Sequence, residues 1–409
     1  MKKAVLTLML LCSIAALILL AVFFWKNLRG IKPALLGPYQ DIVPLIENAQ
    51  ADNGSGDMPL KLSPGFSISL YAKGLGNPRA MVLDPAGTLI VSIPSHGKVV
   101  ALPDQNRDGV ADRIATVIDG LKRPHGMAFR CAPDCKLYIA EEDAVNVFTY
   151  DPKKLNAVKA KKISDLPRGG GHVTRTLLFL PKPDDDRLLV SVGSSCNVCN
   201  EDDWRRAKIL IVPAAGGRLT TFASGLRNSV FMTIHPRTKK IWATEMGRDL
   251  LGDDLPPDEI NVVQEGRDYG WPFCYGKSVP DQDFDPLSNK RCVESATMPS
   301  HIDIPAHSAP LGLAFFPENG WPAEFSNDLL VAYHGSWNRS IPTGYKIVRY
   351  RLDDKGQYLG VEDFITGWLL KDGTLGRPVD IMIRPDGLIF VSDDKAGLIY
   401  LIRREGNTR

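Results

Sequence analysis

The chain has 409 residues, 44% of them hydrophobic and 23% charged, with a formal net charge of +2 at pH 7. That is enough apolar sequence for one large domain or two to three ordinary ones, and it argues against a disordered chain. The near balance of charge gives no basis for a nucleic-acid partner.

Ala4 to Trp25 is a run of 22 residues without a charge, preceded by Lys2 and Lys3. It is long enough to span a bilayer and long for the apolar part of a signal peptide. No small-residue cleavage pattern follows it. Residues 1–30 are therefore expected to be an uncleaved signal anchor, with a cleaved signal peptide as the alternative. Lys26, Arg29 and Lys32 follow the span, so charge alone does not set its orientation. Residues 31–60 read as a linker, with a flexible turn at Asn53–Asp57.

Cys12 falls in the span, and the other six cysteines form local pairs: Cys131 with Cys135, Cys196 with Cys199, Cys274 with Cys292. Close pairs on an exported chain point to disulfides. The alternative is zinc at Cys196 and Cys199, although no second Cys-x-x-Cys accompanies them. A c-type haem is excluded by Asn200, which stands where its histidine ligand would be. Anchor and disulfides together place the body on the periplasmic side of the inner membrane, or free in the periplasm if the signal is cleaved.

From Phe66 onward the chain repeats one unit: a turn, an alternating strand, a Pro/Asp/Gly turn and a second apolar strand. The copies start at Asn77 (NPRAMVLDPAGTLIVSI), Arg123, Gly171, Leu226, Ser308 and Gly376 (GRPVDIMIRPDGLIFVSD). Equivalent positions at Arg79, His125, His172, Arg227, Ala309 and Arg377 are 46, 47, 55, 82 and 68 residues apart. A four-stranded propeller blade takes about 40–50 residues, so the longer spacings hold insertions. No part of the body keeps a 3.6-residue period, which counts against an α/β barrel. The expected fold is all-β: a six-bladed β-propeller over residues 61–409, preceded by the single N-terminal helix. Phe66–Leu75 would be the outer strand that closes the ring onto the last copy. A β-sandwich is the alternative.

In a propeller, the slot just before each first strand opens on a common axial mouth. Its occupants are Arg79, His125, His172, Arg227 with Asn228, Ser308 and Arg377. Three glycines, Gly169 to Gly171, lead into His172 and give it the most permissive backbone available. Ordinary structural readings stand beside the functional ones: Arg79 paired with an acid on a neighbouring blade, His125 a satisfied turn residue. Converging arginines without compensating acids repel one another, and they make sense around an anionic ligand held by bidentate pairing. Acids concentrate between Glu245 and Pro272. There Asp253, Asp254, Asp258 and Glu259 are candidate oxygen ligands for a hard cation such as Ca²⁺, or members of a solvated loop. Asp104–Asp112 (DQNRDGVAD) has the look of a Ca²⁺ loop but carries Ala115 where a bidentate glutamate belongs, and reads as a structural turn.

Several motifs match a known family: GHVTR at Gly171, GLRNSV at Gly225, DEINVVQEGRDYGWP at Asp258, APLGLAF at Ala309 and GRPVDIMIRPDG at Gly376. From about Phe66 to Arg403 the chain resembles the soluble quinoprotein aldose and glucose dehydrogenases, in particular the L-sorbosone dehydrogenase-like branch. These are six-bladed propellers that use pyrroloquinoline quinone (PQQ) and Ca²⁺. The resemblance implies His172 as the general base on the substrate hydroxyl. It implies Arg227, Asn228 and Arg377 as cofactor-binding residues, with His125 and Lys346 as further candidates. Gly247 and Arg248 would offer main-chain carbonyls to the cofactor Ca²⁺, and Glu259 and Tyr269 to a structural one. Two departures stand out. The family's Arg-x-Arg-Asp reads Arg377-Pro378-Val379-Asp380 here, and its quinone-binding lysine has no clear equivalent. The longer segment Ala332–Ile347 offers His334, Arg339 and Lys346 to reach in.

The function expected from the resemblance is a PQQ- and calcium-dependent dehydrogenase. It would oxidise a sugar hydroxyl, or a sorbosone-type aldehyde hydrate, by hydride transfer to the quinone. The expected partners are a small sugar, the membrane through the N-terminal helix, and an electron acceptor of the respiratory quinone or cytochrome class. One alternative is a calcium-dependent propeller lactonase, which needs a carboxylate cage at the mouth. The other is a binding module that has kept the scaffold without the chemistry.

Overall fold

The computed structural model describes residues 2–51, 58–131, 134–287, 289–293 and 296–406; the expected turn at Asn53–Asp57 lies outside them. Alternation of apolar and polar residues builds six antiparallel blade sheets; in five of them four strands neighbour one another in chain order, the fifth adding Lys61–Leu62 at its outer edge, and the sixth is closed by an N-terminal strand. The first blade is Met81–Leu83, Leu89–Ile93, Lys98–Leu102 and Ala115–Ile118. The second is Met127–Cys131, Cys135–Ala140, Ala144–Asp151 and Asn156–Asp165. The third is Leu177–Phe179, Arg187–Val192, Lys208–Pro213 and Thr220–Ser224. The fourth is Met232–Ile234, Ile241–Glu245, Asp258–Val263 and Ile302–Ile304. The fifth is Pro310–Phe315, Leu329–Tyr333, Lys346–Leu352 and Tyr358–Thr366. The sixth takes Pro378–Ile383, Leu388–Asp393 and Leu398–Arg404 from the C-terminal end and Phe66–Ala72 from the N-terminal side. The six-bladed propeller and its closing strand stand as the repeats predict.

The second strands of the blades are largely buried, and several read as apolar runs such as Leu89–Ile93 and Leu329–Tyr333. Their side chains fill the wedges between neighbouring blades. The longest repeat spacing is explained by residues 264–301, inserted between the last two strands of the fourth blade. The insertion carries a small hairpin, Cys274–Tyr275 with Val279–Pro280, and the disulfide Cys274–Cys292. The other two expected disulfides, Cys131–Cys135 and Cys196–Cys199, are also formed. That removes the zinc alternative at Cys196 and Cys199.

Antiparallel strands reverse direction at each step. The connection that enters a blade and the connection between its second and third strands therefore share one end of the molecule. We call this the mouth end. It collects residues 73–80, 94–97, 119–126, 141–143, 167–176, 193–207, 225–231, 246–257, 305–309, 334–345, 367–377 and 394–397.

The apolar N-terminal helix runs from Lys2 to Asn27; Val5–Asn27 is long enough to cross a membrane, and residues 5–26 of it are exposed. That is compatible with a signal anchor or a signal peptide. The segment read as a linker contains a helix, Ile42–Ala51, whose Ile42 and Ile46 are fully buried. They join Phe66, Ile68, Phe364 and Trp368 in one apolar cluster, and Gln50 donates to the Ile68 carbonyl at 3.1 Å. The apolar spacing Ile42/Ile46/Ala49 is a helical stripe. It covers the seam where first and last strands meet. Ile46→Ala should therefore lower unfolding stability by about 2–5 kcal/mol, read as a shift in the denaturant midpoint; a free tether would give no shift.

Candidate active site

His172 stands at the mouth end on the connection into the third blade. Its Nδ1 lies 3.1 Å from the Ser194 carbonyl and 2.9 Å from the Ser194 hydroxyl. A carbonyl only accepts, so Nδ1 carries the proton, and the Ser194 hydroxyl donates onward to the Cys196 carbonyl at 2.7 Å. Among the described residues Nε2 has no partner, which leaves its lone pair open. Burial, then the charges of Arg227, Arg175 and Arg206, push the imidazole down to about 3, against the smaller opposing effect of the Ser194 bond. His172 is neutral at physiological pH.

The loop that presents His172 is built around Arg175. This guanidinium is fully buried and has no carboxylate partner among the described residues. It donates to the carbonyls of Glu142 (3.2 Å), His172 (2.9 Å), Thr174 (2.8 Å) and Pro167 (2.9 Å). Arg206 closes the other side, donating at 2.7 Å to the carbonyls of Arg168 and Gly169. Gly170 has a φ of +84°, and a Cβ there would lie 2.8 Å from the Ser195 Cα. The glycines thus admit the neighbouring Ser194–Ser195 backbone; close packing of chain on chain is their first use.

Asn228 and His172 flank Gly193. A side chain at Gly193 would meet the His172 Cβ at 2.6 Å and the Asn228 Oδ1 at 2.7 Å. Arg227, also buried, spends its donors on its own chain: Asn197 O (2.8 Å), Asn197 Oδ1 (2.9 Å), Gly247 O (2.9 Å) and Asp249 Oδ2 (3.0 Å). Arg79 is likewise paired, at 2.6 Å with Asp394 of the sixth blade, and His334 holds the other oxygen of Asp394 at 2.9 Å. The expectation of uncompensated converging arginines is corrected here: acids from the connections between second and third strands meet two of them.

Arg377 sits over the Tyr345 ring at 5.4 Å and donates to the His334 and Gly335 carbonyls. His125 is buried with Nδ1 3.3 Å from the Arg175 carbonyl, while its Nε2 has no partner among the described residues. Burial and the Arg79 charge push it down to about 3. Ser308 is buried, its hydroxyl donating to the Pro305 carbonyl at 2.7 Å. Lys346 is not at the mouth. It lies in a groove between the fourth and fifth blades with Lys277 and His301, paired with Asp363 at 2.5 Å. Arg339 instead ties the Asp253–Asp254 loop to the 334–345 connection. Val379, where the family has a second arginine, is buried in an apolar cluster. Asp380 beside it caps the Met81 and Ile381 N–H groups at 2.8 and 2.9 Å.

The four candidate cation ligands do not converge. Asp253 takes Ser340, Asp254 takes Arg339, Asp258 receives the Gly247 and Ala309 N–H groups at 2.8 Å, and Glu259 receives Asn261 and Gly276. Arg248 pairs with Asp281 at 2.7 Å and so fastens the insertion to the mouth end. Tyr269 bonds the Val262 carbonyl at 2.7 Å. Among the described residues one cluster has the spacing of a metal site, Cys196, Cys199 and Glu201, and its cysteines are joined to each other. The Asp104–Asp112 loop is a turn in which carboxylates cap local N–H groups.

Sequence reasoning missed Arg175, Gly193, Ser194 and Asn197. The first sits inside GHVTR and holds mostly its own connection, through Pro167, His172 and Thr174, with Glu142 on another; Asn197 sits inside Cys196-x-x-Cys199, and its partners Arg227 and Asp249 lie on other connections, which no local pattern reveals.

A family model described as TrAA12-like matches residues 60–405. An uncharacterized protein of Borreliella burgdorferi is 32% identical over 359 residues, covering 85% of this chain and 91% of its own length. A pyrroloquinoline quinone-dependent pyranose dehydrogenase of Coprinopsis cinerea is 25% identical over 413 residues; 84% of this chain spans about half, 54%, of that protein. A solved structure described as the calcium structure of Trichoderma reesei Carbohydrate-Active Enzymes Family AA12 superposes with a TM-score of 0.72 at 23% identity, covering 85% of this chain and 97% of the other. The match runs through every blade, and the chain belongs to the TrAA12-like family.

Proposed function

We propose that the protein is a PQQ-dependent sugar dehydrogenase in which His172 is the general base. The observation that carries this is the state of His172: Nδ1–H fixed on Ser194, Nε2 open, and the ring held neutral by burial and three guanidinium groups. A base in that state is ready to take a proton from a hydroxyl. The relatives named for PQQ-dependent sugar oxidation support the cofactor and the substrate class.

The mouth fits a planar trianion. Arg175, Arg206 and Arg227 surround His172 with only Asp249 paired among them. Arg206 Nη1, His125 Nε2 and the Asn338 amide are buried at the mouth end without partners among the described residues. Such atoms are costly unless a ligand meets them. When bound, PQQ would be held by these arginines and would supply an electrophilic quinone, the two-electron acceptor that sugar oxidation needs. His172 takes the hydroxyl proton at Nε2, so the sugar loses two electrons and two protons. Ser194 keeps the ring from turning, and Asn228, across Gly193, is the neighbouring side chain with a polar end toward the same space. Arg377 is the cofactor-binding candidate on the opposite side.

For calcium, also expected, the proposed donors are the Gly247 and Arg248 main-chain carbonyls, and the Gly247 carbonyl also accepts from Arg227 at 2.9 Å. Sorbosone-type aldehydes belong with aldoses and pyranoses in the proposed substrate range. The pairing of Arg79 and Arg227 with acids favours one rival, a binding module.

The test is a titration of the protein with PQQ, with Ca²⁺ and with a chelator, followed by an aldose panel and a dye acceptor. Quinone absorbance shifting with one equivalent and sugar-dependent dye reduction are expected; a folded protein that leaves the absorbance unchanged would sink the proposal. His172→Ala should retain the absorbance change and lose about 10²–10⁴-fold in kcat. The pH profile carries a sign. A base titrating near 3 is unprotonated throughout pH 5–8, so kcat/KM should stay flat over that range and fall only in more acid solution. A limb near pH 6.5 that His172→Ala leaves in the residual activity would mean a different base. Arg175→Met strips donors from four carbonyls, one buried and three part-buried, and should cost about 3 kcal/mol or more of stability. Arg175→Lys should not restore it, because an ammonium cannot reproduce the fork.

A further inference from the structure

The end of the molecule that carries His172 is also where the N-terminal helix arrives. Val5–Asn27 has 23 residues and a mean hydropathy of 2.9. At about 1.5 Å per residue it is roughly 35 Å long, enough for a hydrocarbon core of about 30 Å. Gly30, just past its end, donates its N–H to the Arg339 carbonyl at 3.0 Å. Arg339 is on the mouth-end connection of the fifth blade. The chain then runs on across the same end. Lys395 donates to the Pro33 carbonyl, and the Tyr39 N–H donates to the Thr374 carbonyl at 2.7 Å. The few residues between Asn27 and Gly30 reach roughly 10 Å at most. A headgroup layer is about 5–8 Å deep. With the helix across a bilayer, the rim of the mouth stands in or against the headgroups.

The chemistry of the rim suits that position. Leu35, Leu36, Tyr39, Leu255, Trp337 and Ile341 are 40–70% exposed, and all lie on the docked segment or on mouth-end connections. Clustered exposed apolar side chains mark a contact surface. Beside them Lys26, Arg29 and Lys32 are exposed, and the Arg29 guanidinium sits 4.7 Å over the Trp25 ring. An aromatic at the hydrocarbon boundary followed by cations matches the interfacial layer and anionic headgroups.

We propose that this rim rests on the lipid bilayer spanned by the helix, so that the His172 mouth opens toward the membrane. The inference rests on Val5–Asn27 being a retained anchor, and it holds whatever sugar is oxidised.

The full chain is reconstituted in vesicles of phosphatidylcholine and phosphatidylglycerol with a photo-crosslinking amino acid at one position. Ile341 and Leu255 probe the rim. Val158 and Leu359, exposed on outer strands near the opposite end, are controls, and Leu20 probes the helix. Lipid adducts at Ile341, Leu255 and Leu20 and none at Val158 or Leu359 are expected. Adducts at Leu20 alone, or rim adducts to a protein in place of lipid, would keep the anchor and overturn the orientation. No adduct at Leu20, with the chain released by an alkaline wash, would remove the anchor and the proposal with it.

Discussion

A propeller has one seam, and every distance at the mouth depends on its holding. Here Phe66–Ala72 pairs along Leu398–Arg404, so the sixth blade is made from both ends of the body. Closure leaves no inner edge open and fixes the six first strands around one axis. The seam is reinforced on two sides. At the mouth end Arg79 of the first blade reaches Asp394 of the sixth, and Asn77 donates to the Asp394 carbonyl at 2.6 Å. On the outside the Ile42–Ala51 helix covers the closing strand with Ile46. A residue in the candidate site, Arg79, is therefore also part of what keeps the ring shut.

That double use explains the electrostatics of the mouth. Buried guanidinium groups are expensive without partners. The chain meets the cost in two ways: carboxylates for Arg79 and Arg227, and fans of carbonyls for Arg175 and Arg377. A carboxylate cancels charge, whereas a carbonyl satisfies donors and leaves the charge in place. The offset is partial: Arg227, although paired with Asp249, still exerts the largest cationic effect on His172, ahead of the carbonyl-held Arg175. Burial pushes His172 down first, and the cationic field adds to it. His334 is likewise pushed down to about 4 by burial and Arg377, even with Asp394 at hand.

The ring itself was legible from six copies of one turn–strand–turn–strand unit, because each blade is a local antiparallel meander whose pattern does not depend on its neighbours. The three disulfides were legible for the same reason, since each joins cysteines close in sequence. The placement of His172 before a first strand was legible too. What could not be read were relations between connections. Asp394 is 315 residues from Arg79, and Asn197 is 30 from Arg227. The acids seen after Glu245 looked like one cluster because they are close in sequence; strand alternation and separate partners send them apart. Lys346 failed as a mouth residue because it begins a third strand and faces the groove beside it. Ile42–Ala51 reads as part of a linker in the sequence because its short stripe finds its partner only once the seam exists.

The segment Ser194–Glu201 shows how such long-range relations make a site. It offers the Ser194 carbonyl to His172 on one side and the Asn197 side chain to Arg227 and the Asp249 N–H on the other. Glu201 turns back to take the Ser195 N–H at 2.6 Å, and Cys196–Cys199 closes the loop between them. One short connection thus sets the imidazole of the third blade relative to the guanidinium that enters the fourth. Both ends of that connection issue from fully paired strands, Arg187–Val192 and Lys208–Pro213. A flexible loop placed there would let His172 turn about its ring axis and lose the tautomer that leaves Nε2 open. The propeller supplies rigidity at the strands, and this stapled connection carries it the last few ångströms to the base.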